Sequence, residues 1–203
     1  EKARDDGNRD GPMLEKYEMY ISDKNAMAAD VDVPAIRNNW TRVAMRRIRS
    51  YPDAQRHALL DAIPRATQLA ISQGRVDEWL PAQHAVNVCD ALLQVLSLDE
   101  TIEFWRAIVF DSYAGGLLES LLTSPDEQTD LLGLAPKAWQ LSAIHCGEIV
   151  VVPASGGLRL EARNLPPHLR ESKGIQAMFA GAVRAILAFA KIDAGIRFDA
   201  ELP

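Results

Sequence analysis

Glu148-Ile149-Val150-Val151-Val152, then Ser155-Gly156-Gly157, then Leu158-Arg159-Leu160-Glu161-Ala162-Arg163 is the stretch at which the chain changes period. Everything upstream repeats its apolar residues every three to four positions. Here a β-branched run is followed by a glycine pair with the chemistry of a hairpin turn, and then by strict apolar/polar alternation. Alternation of that kind belongs to a strand with one packed face and one wet face. Ile196-Arg197-Phe198-Asp199-Ala200-Glu201-Leu202 alternates in the same way. Between the two lies a helical stretch from Gly174 to Lys191, whose stripe is Ile175, Met178, Phe179, Ala182, Ile186 and Phe189, with Gly195 as a stop. The tail therefore reads strand, hairpin, strand, helix, strand. It predicts a small three-stranded antiparallel sheet with one long helix on its inner face, and charge pairing on the outer face between Arg159, Glu161, Arg163 and Arg197, Asp199, Glu201.

Working back from Cys146, the signal is helical to Val33. Pro34 suits a first helical turn, with Ile36, Trp40, Val43, Ala44 and Ile48 on one side and Arg42, Arg46 and Arg49 on the other. Pro52 opens a second helix that Pro64 ends. A third runs to Gly74, read as a left-handed C-cap. Asp77-Glu78-Trp79-Leu80-Pro81 reads as a turn into a fourth helix, with Ala85, Val86, Cys89 and Leu96 in its buried stripe. Ser97 and Glu100 have capping-box spacing and start a fifth helix at Leu98. That helix, through Ile102, Phe104, Trp105, Ile108, Val109, Phe110, Leu117 and Leu121, is apolar nearly all round and is expected at the centre of the fold. Ser124-Pro125 and Pro136 start two further helices. The class is α+β: a helical lobe of about six to seven helices around one central buried helix (33–146), followed by a sheet-plus-helix lobe (147–203), forming a single domain over 33–203. Residues 1–32 begin with a glycine-containing, almost wholly polar run and read as a flexible leader or arm.

The chain has 203 residues, 48% of them hydrophobic and 25% charged, and a net charge of −6. This composition supports a folded core and argues against nucleic acid as a partner. No stretch approaches the ~18 consecutive apolar residues of a membrane span. Two cysteines, Cys89 and Cys146, form no disulfide framework, so a cytoplasmic setting is expected.

Motifs that carry chemistry are sparse. His57, His84, His145 and His168 stand in no metal-ligand pair, so no metal site is expected. His84 falls opposite its helix's apolar stripe and reads as solvated. His145 reads as complementing a helix C-terminus, and His168 as a loop residue. Cys89 reads as a small core hydrophobe and Cys146 as a helix–strand junction residue. Neither has an activating partner, and no nucleophile elbow, Walker loop or Rossmann glycine set occurs, so no catalytic residue is assigned. Two arginines fall on faces expected to be buried: Arg47 beside Trp40 and Val43, and Arg106 beside Trp105, Val109 and Tyr113. A buried guanidinium calls for a carboxylate, carbonyls or a ligand anion, unless its stem reaches the surface. Ser112, Gly116 and Ser120 form a ridge of small residues on the fifth helix, suited to close packing or to a bound molecule.

The order Asp77-Glu78-Trp79-Leu80-Pro81, Tyr113-Ala114, Ala135-Pro136-Lys137-Ala138-Trp139, Gly147-Glu148-Ile149, Leu165-Pro166-Pro167 and Gly174 through Phe189 resembles a family of similar-length proteins heavily duplicated in myxobacteria. In its tail the chain is also similar to the superfamily that joins heme-NO-binding domains, four-vinyl-reductase domains and trafficking-complex subunits. The resemblance spans Val33 to the C-terminus. It implies a helical lobe on a small antiparallel sheet, frequent dimers and a pocket for an apolar molecule or lipid tail. The heme branch has a tyrosine–serine–arginine clamp. Here Tyr113 is followed by Ala114 and Gly115, so heme is not expected and no cofactor is assigned.

These readings converge on a non-catalytic cytosolic module that binds a small apolar or amphipathic molecule, with a sensory role. Trp105 and Tyr113 would form an aromatic wall, Arg106 would hold an anionic head, and Gly116 would leave room. The alternatives are a dimeric protein-interaction or scaffold domain without ligand, and an enzyme of unassigned class.

Overall fold

The computed structural model describes residues 32–113, 134–154 and 157–189. The leader over 1–31, the ridge beyond Tyr113, the helix expected after Ser124, the turn residues Ser155 and Gly156, and the strand expected from Ile196 lie outside the described residues. The described elements run β1 (Ala35–Arg37), α1 (Asn38–Arg49), α2 (Asp53–Ala62), α3 (Arg65–Gln73), β2 (Trp79–Pro81), α4 (Ala82–Val95), α5 (Leu98–Tyr113), α6 (Leu134–Ser142), β3 (Ala143–Ile144), β4 (Glu148–Ala154), β5 (Gly157–Arg163), α7 (Pro167–Glu171) and α8 (Lys173–Phe189). The α+β class is realised.

The helix boundaries follow capping chemistry. Ser97 and Glu100 close the box that begins α5: Glu100 Oε2 accepts from the Ser97 amide at 2.8 Å, and Ser97 Oγ accepts from the Glu100 amide at 3.3 Å. The Ser97 hydroxyl, at 2.7 Å, and the Ser97 amide both donate to Glu100 Oε2 and hold its carboxyl below its ordinary range. Proline sits at the N-cap of α2, α3, α4 and α7, as Pro52, Pro64, Pro81 and Pro166. Its extended ψ there turns the chain before the helix starts. Gly74 is not left-handed: it has φ −65° and ψ 151°. Glycine is needed for space, because a Cβ at this position would lie 2.9 Å from Asn38 Nδ2.

One expected helix start, at Ala35–Arg37, and one expected turn, at Trp79–Pro81, are strands instead. β1 pairs antiparallel with β2 through Ala35–Pro81, Ile36–Leu80 and Arg37–Trp79, and with β3 through Ala35–Ile144 and Ile36–Ala143. The three-stranded sheet is therefore made of residues far apart in sequence, in the order β2-β1-β3. It also joins two helix starts: the Asn38 amide donates to Glu78 O at 2.9 Å and the Ala82 amide to Pro34 O at 2.8 Å. Those N–H groups would otherwise lack partners, as the first N–H groups of any helix do. α1 consequently begins at Asn38 and not at Pro34.

The expected hairpin forms as a second sheet, β4 with β5, in register Glu148–Arg163 through Ala154–Gly157. Ile149 and Leu160 turn to the core. Val150, Val152, Arg159, Glu161 and Arg163 share the other face, where Glu161 is paired by Arg159 at 2.6 Å and Arg163 at 2.7 Å. The arginines keep the Glu161 carboxyl below its ordinary range.

Two expectations about helices need correction. The long helix α8 packs chiefly against α5 and α4, while α6 packs on β4. α5 is also not enclosed. Asp99, Glu103 and Phe110 lie exposed along one side of it, with Leu98 at its start, while Ile102, Phe104, Trp105, Ile108 and Val109 are buried. α4 occupies the centre, touching α1, α2, α3, α5, α7 and α8, with Val88, Cys89 and Leu92 fully buried. No described helix is long and apolar enough to cross a membrane.

Glycine sets the approach of α8. A Cβ on Gly174 would fall on the backbone carbonyl of Cys89 and the amide of Asp90, and one on Gly181 would lie 2.6 Å from Ile102 O. Gly174→Ala is expected to lower stability by about 1–3 kcal/mol, the usual range for overpacking, as measured by urea unfolding. An exposed glycine-to-alanine change in a helix would have the opposite sign.

Candidate functional site

Of the residues singled out on the fifth helix, Trp105 and Arg106 do not converge. Successive helical positions point about 100° apart, and the structure places Trp105 inward, 2% exposed, and Arg106 outward. Arg106 Nε donates to Glu103 Oε2 at 2.6 Å on the surface, one turn back on the same helix. Arg184 of α8 approaches the same glutamate at 3.4 Å. The expected anion-holding role of Arg106 is thus replaced by a surface charge cluster. Tyr113 ends α5, its side chain outside what is described, and Gly116 lies beyond the described residues.

Around Trp105 the structure builds an aromatic group. The Phe104 ring meets the Trp105 ring edge-on at 5.5 Å and 86°, and Tyr51 lies 6.2 Å from Phe104. The Arg47 guanidinium stands 5.8 Å from the Phe104 ring centroid, the location of the second arginine flagged in the sequence. Burial raises the Tyr51 hydroxyl above its ordinary value of 10.0, with Arg47 acting in the opposite direction. Trp105 Nε1 is buried and has no hydrogen-bond partner among the described residues. A buried donor left unmatched costs about 1–3 kcal/mol.

Three polar constellations lie elsewhere in the described residues, and sequence reading assigned none of them. Asn38, 0% exposed, donates Nδ2 to Ile71 O at 3.1 Å and Arg75 O at 3.0 Å and accepts from Thr41 Oγ1 at 2.8 Å. Arg42 joins it by donating to Gly74 O at 2.6 Å. Together they cap the C-terminus of α3, so Arg42 is a capping residue and not part of a solvated face. Asp90 Oδ1 accepts from Ser172 Oγ at 2.6 Å and from the Gly174 amide at 3.0 Å, and Ser172 Oγ accepts from the Ile175 amide at 3.0 Å. This places a carboxylate of α4 at the positive end of α8.

In the third, His84 is half-buried, with Nδ1 3.1 Å from Thr67 Oγ1, whereas the wheel had placed it in solvent. Desolvation lowers its pKa below the ordinary 6.5.

Both cysteines are free and buried. Cys89 Sγ lies 4.0 Å from Met178 Sδ, and burial, chiefly, raises its thiol well above the ordinary range, which makes it a poor nucleophile. Cys146, expected at a junction, is 1% exposed with its thiol on Ile144 O at 3.1 Å. Its neighbour His145 is exposed in a left-handed turn at φ 54°, not at a helix end. Among the described residues no group of three or more His, Cys, Asp and Glu side chains is placed to hold a metal ion.

Comparison with known proteins found no match among family models, curated proteins or solved structures.

Asn38 and Arg106 should respond oppositely to truncation. Asn38→Ala removes the two Nδ2 bonds to Ile71 O and Arg75 O and the Oδ1 acceptor of Thr41 from a buried site, and is expected to lower stability by roughly 1–3 kcal/mol. Arg106→Ala removes one surface pair and should change it by less than about 1 kcal/mol. Chemical denaturation of the two variants checks the contrast.

Proposed function

We propose that this chain is a cytoplasmic binding module for a small, largely apolar molecule carrying one hydrogen-bond acceptor, held against α5 beside Trp105. The observation that carries the reading is the buried, unpartnered indole N–H of Trp105 within an aromatic surround. Binding sites for such molecules are mostly apolar, with few polar groups that fix orientation. A ligand carbonyl, ether or carboxyl oxygen would supply the acceptor that the described residues do not. The anchor is thus Trp105 itself, with Arg106 left to the surface. The resemblance to the heme-NO-binding and four-vinyl-reductase superfamily implies the same class of ligand. The cytoplasmic setting rests on two buried, free cysteines.

A second reading, a dimeric interaction domain, is favoured by one feature. Phe110 of α5 is 38% exposed and stacks on Phe189 of α8 with centroids 4.4 Å apart and planes 2° apart. An exposed stacked aromatic pair is the kind of anchor that protein interfaces bury.

The first reading is tested on the purified full chain by native mass spectrometry for a retained molecule. In parallel, the Trp105 indole resonance is followed by NMR while medium-chain fatty acids, alcohols and ketones are titrated in. An acceptor-bearing compound should move that resonance, and Trp105→Phe, which keeps most of the ring volume, should weaken its binding about tenfold, the equivalent of one neutral hydrogen bond. An indole resonance indifferent to the whole panel, with no retained molecule, defeats the reading. Concentration-dependent dimerisation abolished by Phe110→Ser would then support the second.

A further inference from the structure

On α4 and α3 a directed chain of hydrogen bonds ends on a histidine. Gln83 Nε2 donates to Asn87 Oδ1 at 2.9 Å, and Asn87 Nδ2 donates to Thr67 Oγ1 at 2.8 Å. Thr67 Oγ1 lies 3.1 Å from His84 Nδ1. The Thr67 oxygen already accepts from Asn87, and the side chain is 0% exposed, so its own hydrogen has His84 Nδ1 as acceptor. A hydrogen bond donated by Thr67 Oγ1 to Nδ1 requires a neutral imidazole with its proton on Nε2. Its position reinforces that state. His84 stands in the first turn of α4, which runs Ala82–Val95, where the helix dipole disfavours a cation.

We infer that the Thr67–His84–Asn87 tie is a pH-sensitive latch that holds the first half of α3 on α4 while His84 is neutral and slackens in mild acid. An imidazolium at this place would present Nδ1–H to the Thr67 oxygen and turn the Thr67 hydrogen away from its acceptor. It would also carry charge into a half-buried site at the positive end of a helix. α3 has few other polar links nearby: Gln68 Nε2 donates to Leu60 O at 2.8 Å and Ile63 O at 2.9 Å, which ties α3 to α2 and not to α4. The C-terminal end of α3 is held separately by Asn38 and Arg42, so loosening is confined to the part that carries Thr67.

No nearby charge offsets this. α3 brings Arg65, and α2 brings Asp53, Arg56, His57 and Asp61. Arg56 is paired with Asp53 at 2.7 Å. Asp90 of α4 is engaged with Ser172, and Arg37 of β1 lies over the Trp79 ring at 4.9 Å. β2 carries no charged side chain. Desolvation displaces His84 below 6.5, and no charged group contributes.

The sign follows from linkage. The folded midpoint lies below the unfolded one, so the stabilisation is present above about pH 6.5 and is lost as pH falls through the folded midpoint. The test is NMR on the full chain, reading the His84 ring titration and the amide exchange of residues 67–70 at pH 7.5 and pH 5, corrected for intrinsic rates. Wild-type protection of those amides should fall in acid, by up to about tenfold for each pH unit between the two midpoints, while α1 amides stay protected. His84→Gln should remove the acid dependence at those amides, and Thr67→Val should move the ring midpoint up towards 6.5. A ring that titrates at or above 6.5, or protection equal at both pH values because the Asn87 and Gln83 amides flip to receive the imidazolium, overturns the latch. So does acid loosening that persists in His84→Gln.

Discussion

The fold depends on how closely α8 is allowed to approach α4 and α5. This helix is apolar along nearly its whole length, so it must be covered on several sides. The cover is other backbone. Gly174 lies on the peptide between Cys89 and Asp90, and Gly181 lies on the turn of α5 that carries Ile102 and Trp105. At these two points main chain lies close to main chain, and the contact continues through small residues such as Ala177, Ala180 and Ala185, all buried. Close approach brings a polar requirement with it, since the exposed N–H groups at the start of α8 come to rest against α4. Asp90 meets that requirement by accepting from the Gly174 amide and the Ser172 hydroxyl. A carboxylate at a helix N-terminus also gains from the dipole. The apolar and polar parts of the contact are therefore one device: removing the methyl group at position 174 is what lets the Asp90 carboxylate reach.

The β2-β1-β3 sheet solves a matching problem at the other end of α4. Helices begin with unpaired N–H groups, and neither α1 nor α4 has a side-chain cap. Crossing two extended segments in antiparallel register lets each strand lend a carbonyl near the start of the other's helix, Glu78 to Asn38 and Pro34 to Ala82. The arrangement also brings Trp40 within reach of α6, where its indole donates to Ser142 Oγ at 3.1 Å. A sheet of three very short strands thus holds three helices without contributing a large face of its own.

Legibility in the sequence followed the range of the interaction. The Ser97/Glu100 box, the hairpin and the extent of α8 are local patterns, and each is found within a residue or two of its expected place, although the buried side of α8 runs through Ile175, Ala177, Met178, Gly181 and Ala185 and not through Ala182, Ile186 and Phe189. The strands β1 and β2 were not legible because three residues are too few to show alternation, and Pro34 before Ala35 carries the same signal as a helix start. Gly74 was recognised as special, but the space it needs is taken by Ala70 O, four residues back, and by Asn38, 36 positions away, which no local rule reports. The same holds for the site. Trp105 and Arg106 are adjacent in sequence, and an apolar surround was read as including both. Helical geometry separates them, and Glu103, one turn away from Arg106, gives it a surface partner. Thr67 with His84, and Asp90 with Ser172, meet only because α3, α4 and α8 pack together.

What distinguishes Trp105 is the standard set by the rest of the interior. Asn38, Thr41, Thr67, Thr101, Ser142 and Ser172 are buried, and every one of them has a hydrogen-bond partner, several of them more than one. A core that settles the hydroxyl of Thr101 on Ser97 O and the amide of Asn38 on two carbonyls is strict about buried polar atoms. Against that background an indole N–H with no acceptor needs a cause. The perpendicular Phe104 ring adds packing energy of about 0.5–1.5 kcal/mol, and a contact between the N–H and a ring face adds under about 1 kcal/mol. Neither replaces an oxygen lone pair. Phenylalanine would fill most of the same volume with no donor to satisfy, so tryptophan at 105 earns its place only through that N–H or through the extra ring area. The two explanations separate physically: ring area is indifferent to the chemistry of what lies beside it, whereas the donor requires an acceptor that the described residues do not provide.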